Sequence, residues 1–248
     1  MLKNILGRIY ALYALLLFVI TMMIVFIPIL IASLWPEPKP TAFFIAIGRR
    51  WMNIYLPLIG CPARLKGQEY FAPGQTYVIV CNHNALMDIP VTTGYVPGAN
   101  KTLAKASMAK IPVFNVLYKI GSILVDRSSE ASRKQSVVDM KHALSLGIHM
   151  LLYPEGTRNR TADPLKPFYD GAFALAIDTQ TPLMPSLLFN TRKIQPPGKT
   201  FFAWPHPIHY HVLPPIPTTG MTRDDLPALK ERVFKLMQDY YVTTKDKL

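Results

Sequence analysis

The chain has 248 residues, enough for one good-sized core or for a core with an attached membrane segment. Half of the residues are hydrophobic and 27 Lys and Arg stand against 15 Asp and Glu, a combination that fits an anionic, lipid-rich partner better than a purely soluble one. No basic run with interleaved aromatics and no zinc-finger spacing is present, which excludes nucleic acid as the partner.

In chain order, the first predicted element is apolar. Ile9 to Pro36 carries no Asp, Glu, Lys or Arg, and a helix of that length reaches roughly 40 Å, more than a hydrocarbon core needs. The run is too long for a cleaved signal peptide and ends in Ser33-Leu34-Trp35-Pro36 rather than a small-residue cleavage site. Pro36, Pro38 and Pro40 then break the chain before a second apolar, aromatic stretch, Thr41 to Ile59. Arg49 and Arg50 lie near the middle of that stretch. Two arginines at the bilayer centre would cost several kcal/mol, on the order of 5. This second helix therefore reads as interfacial, with both arginines and the rings of Phe43, Phe44, Trp51 and Tyr55 at the headgroup boundary. Lys3, Arg8, Arg49 and Arg50 place both ends on the cytoplasmic side of the inner membrane. Residues 1–60 thus form a two-helix membrane anchor and residues 61–248 a separate domain facing the cytoplasm.

After Leu65 the texture changes. Short apolar or β-branched runs at 77–81, 122–125, 149–153, 183–189 and 208–213 predict strands. Helical stretches are predicted at 105–119, 132–146, 170–179 and 224–241. Strands alternating with helices indicate an α/β domain with a mostly parallel central sheet flanked by helices. Cys61 and Cys81 form no CxxC pattern and read as two reduced, partly buried thiols rather than a disulfide or a metal site. His206, His209 and His211 have no neighbouring carboxylate or Cys in sequence, so a zinc reading of that segment is disfavoured.

In open α/β sheets ligands collect at the carboxyl ends of strands, and three polar clusters follow predicted strands directly. In Asn82-His83-Asn84-Ala85-Leu86-Met87-Asp88, the carboxylate lies five residues after the imidazole and can pair with it across one turn. The acid would fix the tautomer while the other nitrogen takes a proton from an alcohol. On spacing alone, a turn in which Asp88 caps a helix fits equally well. In Tyr153-Pro154-Glu155-Gly156-Thr157-Arg158, glycine permits close backbone approach, Thr157 offers a hydroxyl and Arg158 a planar fork for phosphate. In Gly121-Ser122-Ile123-Leu124-Val125-Asp126-Arg127, the arginine is either a second phosphate ligand or the partner of Asp126.

Taken together, these clusters resemble the glycerol-3-phosphate and lysophosphatidic acid acyltransferase family. Its pattern runs Asn-His-x4-Asp, Gly-x-x-Phe-Ile-x-Arg, Phe-Pro-Glu-Gly-Thr-Arg-Ser and a Pro-containing apolar strand. The counterparts here are Asn82-His83…Asp88, Gly121…Arg127, Tyr153…Arg158 and Pro182-Leu183-Met184-Pro185, in the same order over roughly residues 60 to 240. Lys105, Pro112, Lys166-Pro167-Phe168 before Gly171 and Pro215-Ile216-Pro217 add to the likeness. Leu124-Val125 for Phe-Ile, Tyr153 for Phe and Asn159 for Ser depart from it without removing a catalytic group.

The resemblance implies acyl transfer from a thioester, acyl-CoA or acyl-carrier protein, to the sn-2 hydroxyl of 1-acylglycerol-3-phosphate, giving phosphatidic acid. His83 would be the general base oriented by Asp88. Lys105, Arg127, Glu155, Gly156, Thr157 and Arg158 would hold the acceptor's phosphate and headgroup. Neither a metal nor a cofactor is implied, and the partners are membrane lipids, the lysophospholipid and the thioester donor. Other lysophospholipids or a lyso-aminolipid are alternative acceptors. A non-catalytic anionic-lipid-binding protein is the competing reading, distinguishable by loss of His83 or Asp88, both of which are present.

Overall fold

The computed structural model describes residues 1–111 and 113–248. The first helix, α1 (Leu2–Ala32), begins earlier than its uncharged core, because the turns carrying Lys3 and Arg8 continue the same helix. Thirty-one residues span about 46 Å, long and apolar enough to cross a membrane by length and composition. Ile20, Ile24 and Ile27 are more than half exposed. A water-facing helix would not carry such residues along its length.

The second helix, α2 (Lys39–Leu58), folds back antiparallel on α1. The pairing is read from contacts along both helices. Tyr13 Oη donates to Leu58 O at 3.0 Å, Tyr55 Oη to Ala14 O at 3.0 Å, and Trp51 Nε1 to Thr21 Oγ1 at 2.8 Å. Two expectations for α2 are corrected here. Arg49 does not face out: its Nε donates to Gly94 O at 2.9 Å and its Nη2 to Val96 O at 2.7 Å, while Arg50 is exposed. Trp51 and Tyr55 pack on Phe18, and Phe44 lies against Gly121, where a Cβ would come within 2.5 Å of the ring. Arg49 thus ties α2 to the domain, because helix-end carbonyls of α3 were available there to take its guanidinium.

The domain that follows runs β1 (Ala63–Lys66), β2 (Val78–Cys81), α3 (Asp88–Tyr95), β3 (Asn100–Lys105), α4 (Phe114–Gly121), β4 (Ser122–Val125) and α5 (Glu130–Ser145). It continues with β5 (His149–Leu152), α6 (Gly171–Asp178), β6 (Leu183–Phe189), α7 (Thr191–Ile194), β7 (Ile208–Val212) and α8 (Leu226–Thr244). The seven strands form one sheet in the order β1-β7-β6-β2-β5-β3-β4. Every neighbouring pair is parallel except β6 with β7. The mostly parallel α/β architecture read from the sequence is therefore the observed one.

Two strands escaped the sequence reading, and both are polar. In β1 the residues Arg64, Leu65 and Lys66 are exposed at the sheet edge, and β3 reads Asn-Lys-Thr-Leu-Ala-Lys. A single helix over 105–119 is replaced by β3's last residue, a short 3-10 turn at Ala106–Lys110 and α4. Pro112 lies outside the described residues.

The core has two faces. On one, Val78, Val80, Met150 and Leu152 pack with Phe173 of α6 and Val233 of α8. On the other, Ile79, Cys81, Leu151 and Met184 pack with Met52 and Leu56 of α2 and Val91 of α3. All seven residues of β6 are buried, and each large apolar side chain so placed contributes about 1.5–3 kcal/mol. Because α2 covers one face of the sheet, the apolar hairpin is part of the same packed body as the domain.

Candidate active site

The site starts where β2 ends. Asn82 is fully buried and closes the strand end onto β6, donating from Nδ2 to Leu188 O at 3.0 Å and accepting from Leu188 N at 2.7 Å. With Asn82 pinned, the next residue, His83, is delivered to the sheet's carboxyl edge. Its Nδ1 lies 2.9 Å from Asp88 Oδ2. The same oxygen accepts from the amides of Asn84 at 2.5 Å and Ala85 at 2.7 Å. Asp88 is fully buried at the first turn of α3, so the charge is held by donors rather than by water. Asp88 thus serves as turn former and as imidazole partner together, and the two readings of the spacing coexist.

His83 is fixed on two further sides. Its ring stacks on Tyr153 with centroids 4.3 Å apart and planes at 24°. Tyr153 is in turn tied to α3 through its hydroxyl, 2.7 Å from Thr92 Oγ1, and burial holds its phenol well above the ordinary range. The backbone of His83 is clamped by its N–H donating to Glu155 Oε1 at 2.9 Å and by Asn159 N donating to its carbonyl at 2.6 Å. The imidazole Nε2 has no hydrogen-bond partner among the described residues. A ring with one nitrogen on a carboxylate and the other free is set to accept a proton there.

The residues expected to bind substrate separate into groups. Glu155 is buried, and its second oxygen accepts from Lys166 N at 3.0 Å. Burial pushes its carboxyl up, and the His83 and Lys166 amides partly offset this. With each oxygen on a backbone amide, Glu155 braces the loop under His83 rather than facing a headgroup. Gly156 has φ +71, and a Cβ there would meet Tyr169 Cε2 at 2.7 Å. Its carbonyl accepts from Arg127 Nη1 at 2.6 Å, joining the turn after β4 to this loop. Thr157 Oγ1 accepts from Lys166 Nζ at 2.8 Å. Lys105 ends β3 beside Val125 in register. It lies near Asp126, whose carboxyl is lowered chiefly by Ser128. Of the substrate residues expected, Arg158 lines the large cavity, together with Arg160, which the sequence reading did not single out. Arg160 follows in an irregular loop where no periodicity marks a side chain's direction.

That cavity has a volume of about 870 Å³. It passes Asn84, Ala85 and Leu86, directly after His83, and continues between the hairpin and the domain past Phe18, Met52 and Phe114. Of the two cysteines, Cys81 Sγ donates to Asn82 Oδ1 at 3.6 Å. Both are free and buried, and burial pushes the Cys81 thiol well up. His211 Nδ1 lies 3.1 Å from Tyr240 Oη, and no group of three or more His, Cys, Asp or Glu among the described residues is placed to hold an ion.

The His83–Asp88 pair, with no hydrogen-bond partner on Nε2 among the described residues, is followed directly by Asn84 and Ala85 in the wall of the long, mainly apolar cavity. The acyltransferase family profile matches residues 63–188, more than half of the 248. The chain belongs to the acyltransferase family. It is 30% identical over 178 residues to the human 1-acyl-sn-glycerol-3-phosphate acyltransferase alpha, covering 71% of this chain and 62% of that protein. It is 26% identical over 193 residues to the 1-acyl-sn-glycerol-3-phosphate acyltransferase of Cocos nucifera, covering 74% of this chain and 59% of that one. The chain thus spans less than two thirds of these relatives' length. In fold it is similar to the crystal structure of the 1-acyl-sn-glycerophosphate (LPA) acyltransferase PlsC from Thermotoga maritima. The TM-score is 0.82 at 18% identity, over 98% of each chain.

Proposed function

We propose that the chain transfers a fatty acyl group from a thioester, acyl-CoA or acyl-carrier protein, to the sn-2 hydroxyl of 1-acylglycerol-3-phosphate, making phosphatidic acid. The single observation that carries this reading is the His83–Asp88 pair, followed directly by Asn84 to Met87 in the wall of an apolar cavity of about 870 Å³. The names of the relatives support the choice of acceptor.

In this reading the acceptor hydroxyl gives its proton to His83 Nε2 as its oxygen attacks the thioester carbonyl. Asp88 stabilises the imidazolium through Nδ1. The tetrahedral intermediate collapses, the C–S bond breaks, and the departing thiolate recovers the proton from His83. No acyl-enzyme is required. Arg158 meets the acceptor phosphate at the cavity wall, with Arg127 and Lys105 nearby on the strand ends. Residues 1–60 seat the protein from the cytoplasmic face of the inner membrane, so that the cavity opens at the level where lysolipids lie. Purified protein offered a panel of lysolipids with both donor types tests the reading. Preferred conversion of 1-acylglycerol-3-phosphate supports it, and preference for a lyso-aminolipid would move the acceptor assignment elsewhere in the family.

A further inference from the structure

Lys3 and Arg8 on the first turns of α1, Lys193 on α7 and Lys199 on the following loop gather at one end of the hairpin. Lys3 Nζ sits 5.5 Å from the Trp204 ring centroid, and Lys199 Nζ donates to Asn4 Oδ1 at 3.1 Å. Burial and the charges of Lys193 and Lys3 lower the His206 imidazole. None of the four cations is ion-paired among the described residues. Like charges gathered without a carboxylate repel one another, and an anion would relieve the repulsion.

Two of these cations, Arg8 and Lys199, line a small pocket. A cavity of about 240 Å³ is lined by Asn4, Arg8, Gly198, Lys199, Thr200 and Phe202. Its floor is the Phe202 ring, seated on α1 at Gly7, where a Cβ would fall 2.0 Å from Phe202 Cε2. Ala203 N donates to Gly7 O at 3.1 Å and fastens the loop. Lys199 Nζ lies 4.2 Å from the Phe202 centroid, so its ammonium is held over the ring. The donors offered are a guanidinium, an ammonium and a hydroxyl, with no acceptor carboxylate, which is the chemistry that takes phosphate. The rim is apolar. Leu2, Ile5 and Ile9 are exposed, and Phe201 is half exposed at φ 48, a conformation that a bulky residue rarely adopts. A soluble phosphate would have no contact with these exposed apolar side chains, whereas a phospholipid could place its chains along the helix.

We infer that the pocket between Arg8 and Lys199 binds the phosphate of an anionic phospholipid of the surrounding leaflet, at a crevice closed by Asn4 and Arg8 that shares Lys199, Thr200 and Phe202 with the wall of the large cavity. The inference rests on the membrane seat proposed above for α1. It gives the hairpin a fixed depth, since the N-terminal end of α1 would be tied to the headgroup plane.

The test uses the full chain purified in detergent and exposed to short-chain phosphatidylglycerol or phosphatidylcholine, with bound lipid counted by native mass spectrometry. Each basic side chain beside an anionic headgroup is worth about fivefold in affinity. The double variant Arg8→Gln, Lys199→Ser is therefore expected to lose about 25-fold in phosphatidylglycerol binding and nothing for phosphatidylcholine. The charge-matched pair Lys245→Ser, Lys247→Ser, exposed beyond α8, should bind as the wild type. Equal losses in the two double variants would mean diffuse electrostatics and overturn the site. Displacement of the lipid by inorganic phosphate at the same concentration would make it a soluble-phosphate site. A variant that lost acyl-CoA binding instead would make it the donor's. Failure of the wild type to associate with vesicles of any composition would refute the membrane seat itself. Association without a phosphatidylglycerol preference would refute only this pocket.

Discussion

Replacing Asp88 by asparagine removes one charge from beneath His83 and almost no volume. Asp88 is fully buried, and its Oδ2 carries three contacts: His83 Nδ1 at 2.9 Å, Asn84 N at 2.5 Å and Ala85 N at 2.7 Å. An amide oxygen can still take the two backbone donors, so the turn should persist at a cost of about 1–2 kcal/mol. The charge-assisted bond to the imidazole is lost, and such bonds are worth about 1.5–3 kcal/mol. The proposed mechanism uses that bond most when His83 carries the proton, so the loss falls on the transition state. It corresponds to a fall in kcat of about 10- to 160-fold. KM for the acceptor should hold within about threefold, because a buried carboxylate that touches no substrate contributes no uniform binding. The assay is the initial rate of phosphatidic acid formation by Asp88→Asn and wild type, with thermal midpoints measured alongside. A folded variant with kcat within about threefold of wild type would refute the role assigned to the pair.

Arg158→Lys keeps the charge at the cavity wall and loses the planar fork. Acceptor KM should rise about tenfold with donor KM unchanged, and a change confined to the donor would reassign this side chain. Burial pushes the His149 imidazole down to about 4 from 6.5. As pH falls from 6.5 through 4, the unfolded chain takes up a proton that the folded chain refuses. Stability present above pH 6.5 should therefore drain away by up to about 3 kcal/mol. His149→Asn retains an acceptor for Tyr77 N and should flatten that acid limb in pH-dependent melting; an unchanged limb would assign it to other groups. With Cys61 and Cys81 replaced, a cysteine introduced at Lys3 should react with an impermeant thiol reagent only from the cytoplasmic face. Labelling from the outer face would mean that α1 spans.

Much of the fold was legible because its strands are apolar and buried. The runs at 77–81, 149–153 and 183–189 became β2, β5 and β6, each inside the core. The strands that were missed, β1 and β3, carry polar residues at or near the sheet's margins, where register with a neighbour rather than composition makes the strand. The site was legible to the extent that it is local. His83 and Asp88 meet across five residues of one turn, so spacing alone allowed the pair. The remainder depends on contacts distant in sequence. Glu155 looked like a headgroup ligand, yet its oxygens are taken by the amides of His83 and Lys166. Arg49 looked like a lipid-facing charge, yet it caps the last carbonyls of α3, the helix that begins with Asp88. In both cases a buried backbone group needed a partner, and a requirement of that kind is set by the tertiary fold.

The central claim is that His83 removes the proton from a lysolipid hydroxyl. The most direct measurement is the single-turnover rate of phosphatidic acid formation from 1-acylglycerol-3-phosphate and a labelled acyl thioester, comparing wild type with His83→Ala. The variant should keep its thermal midpoint and its association with vesicles while the rate falls by about 100-fold or more. A His83→Ala protein that forms product at the wild-type rate, or a wild type that forms none from this acceptor, would contradict the account.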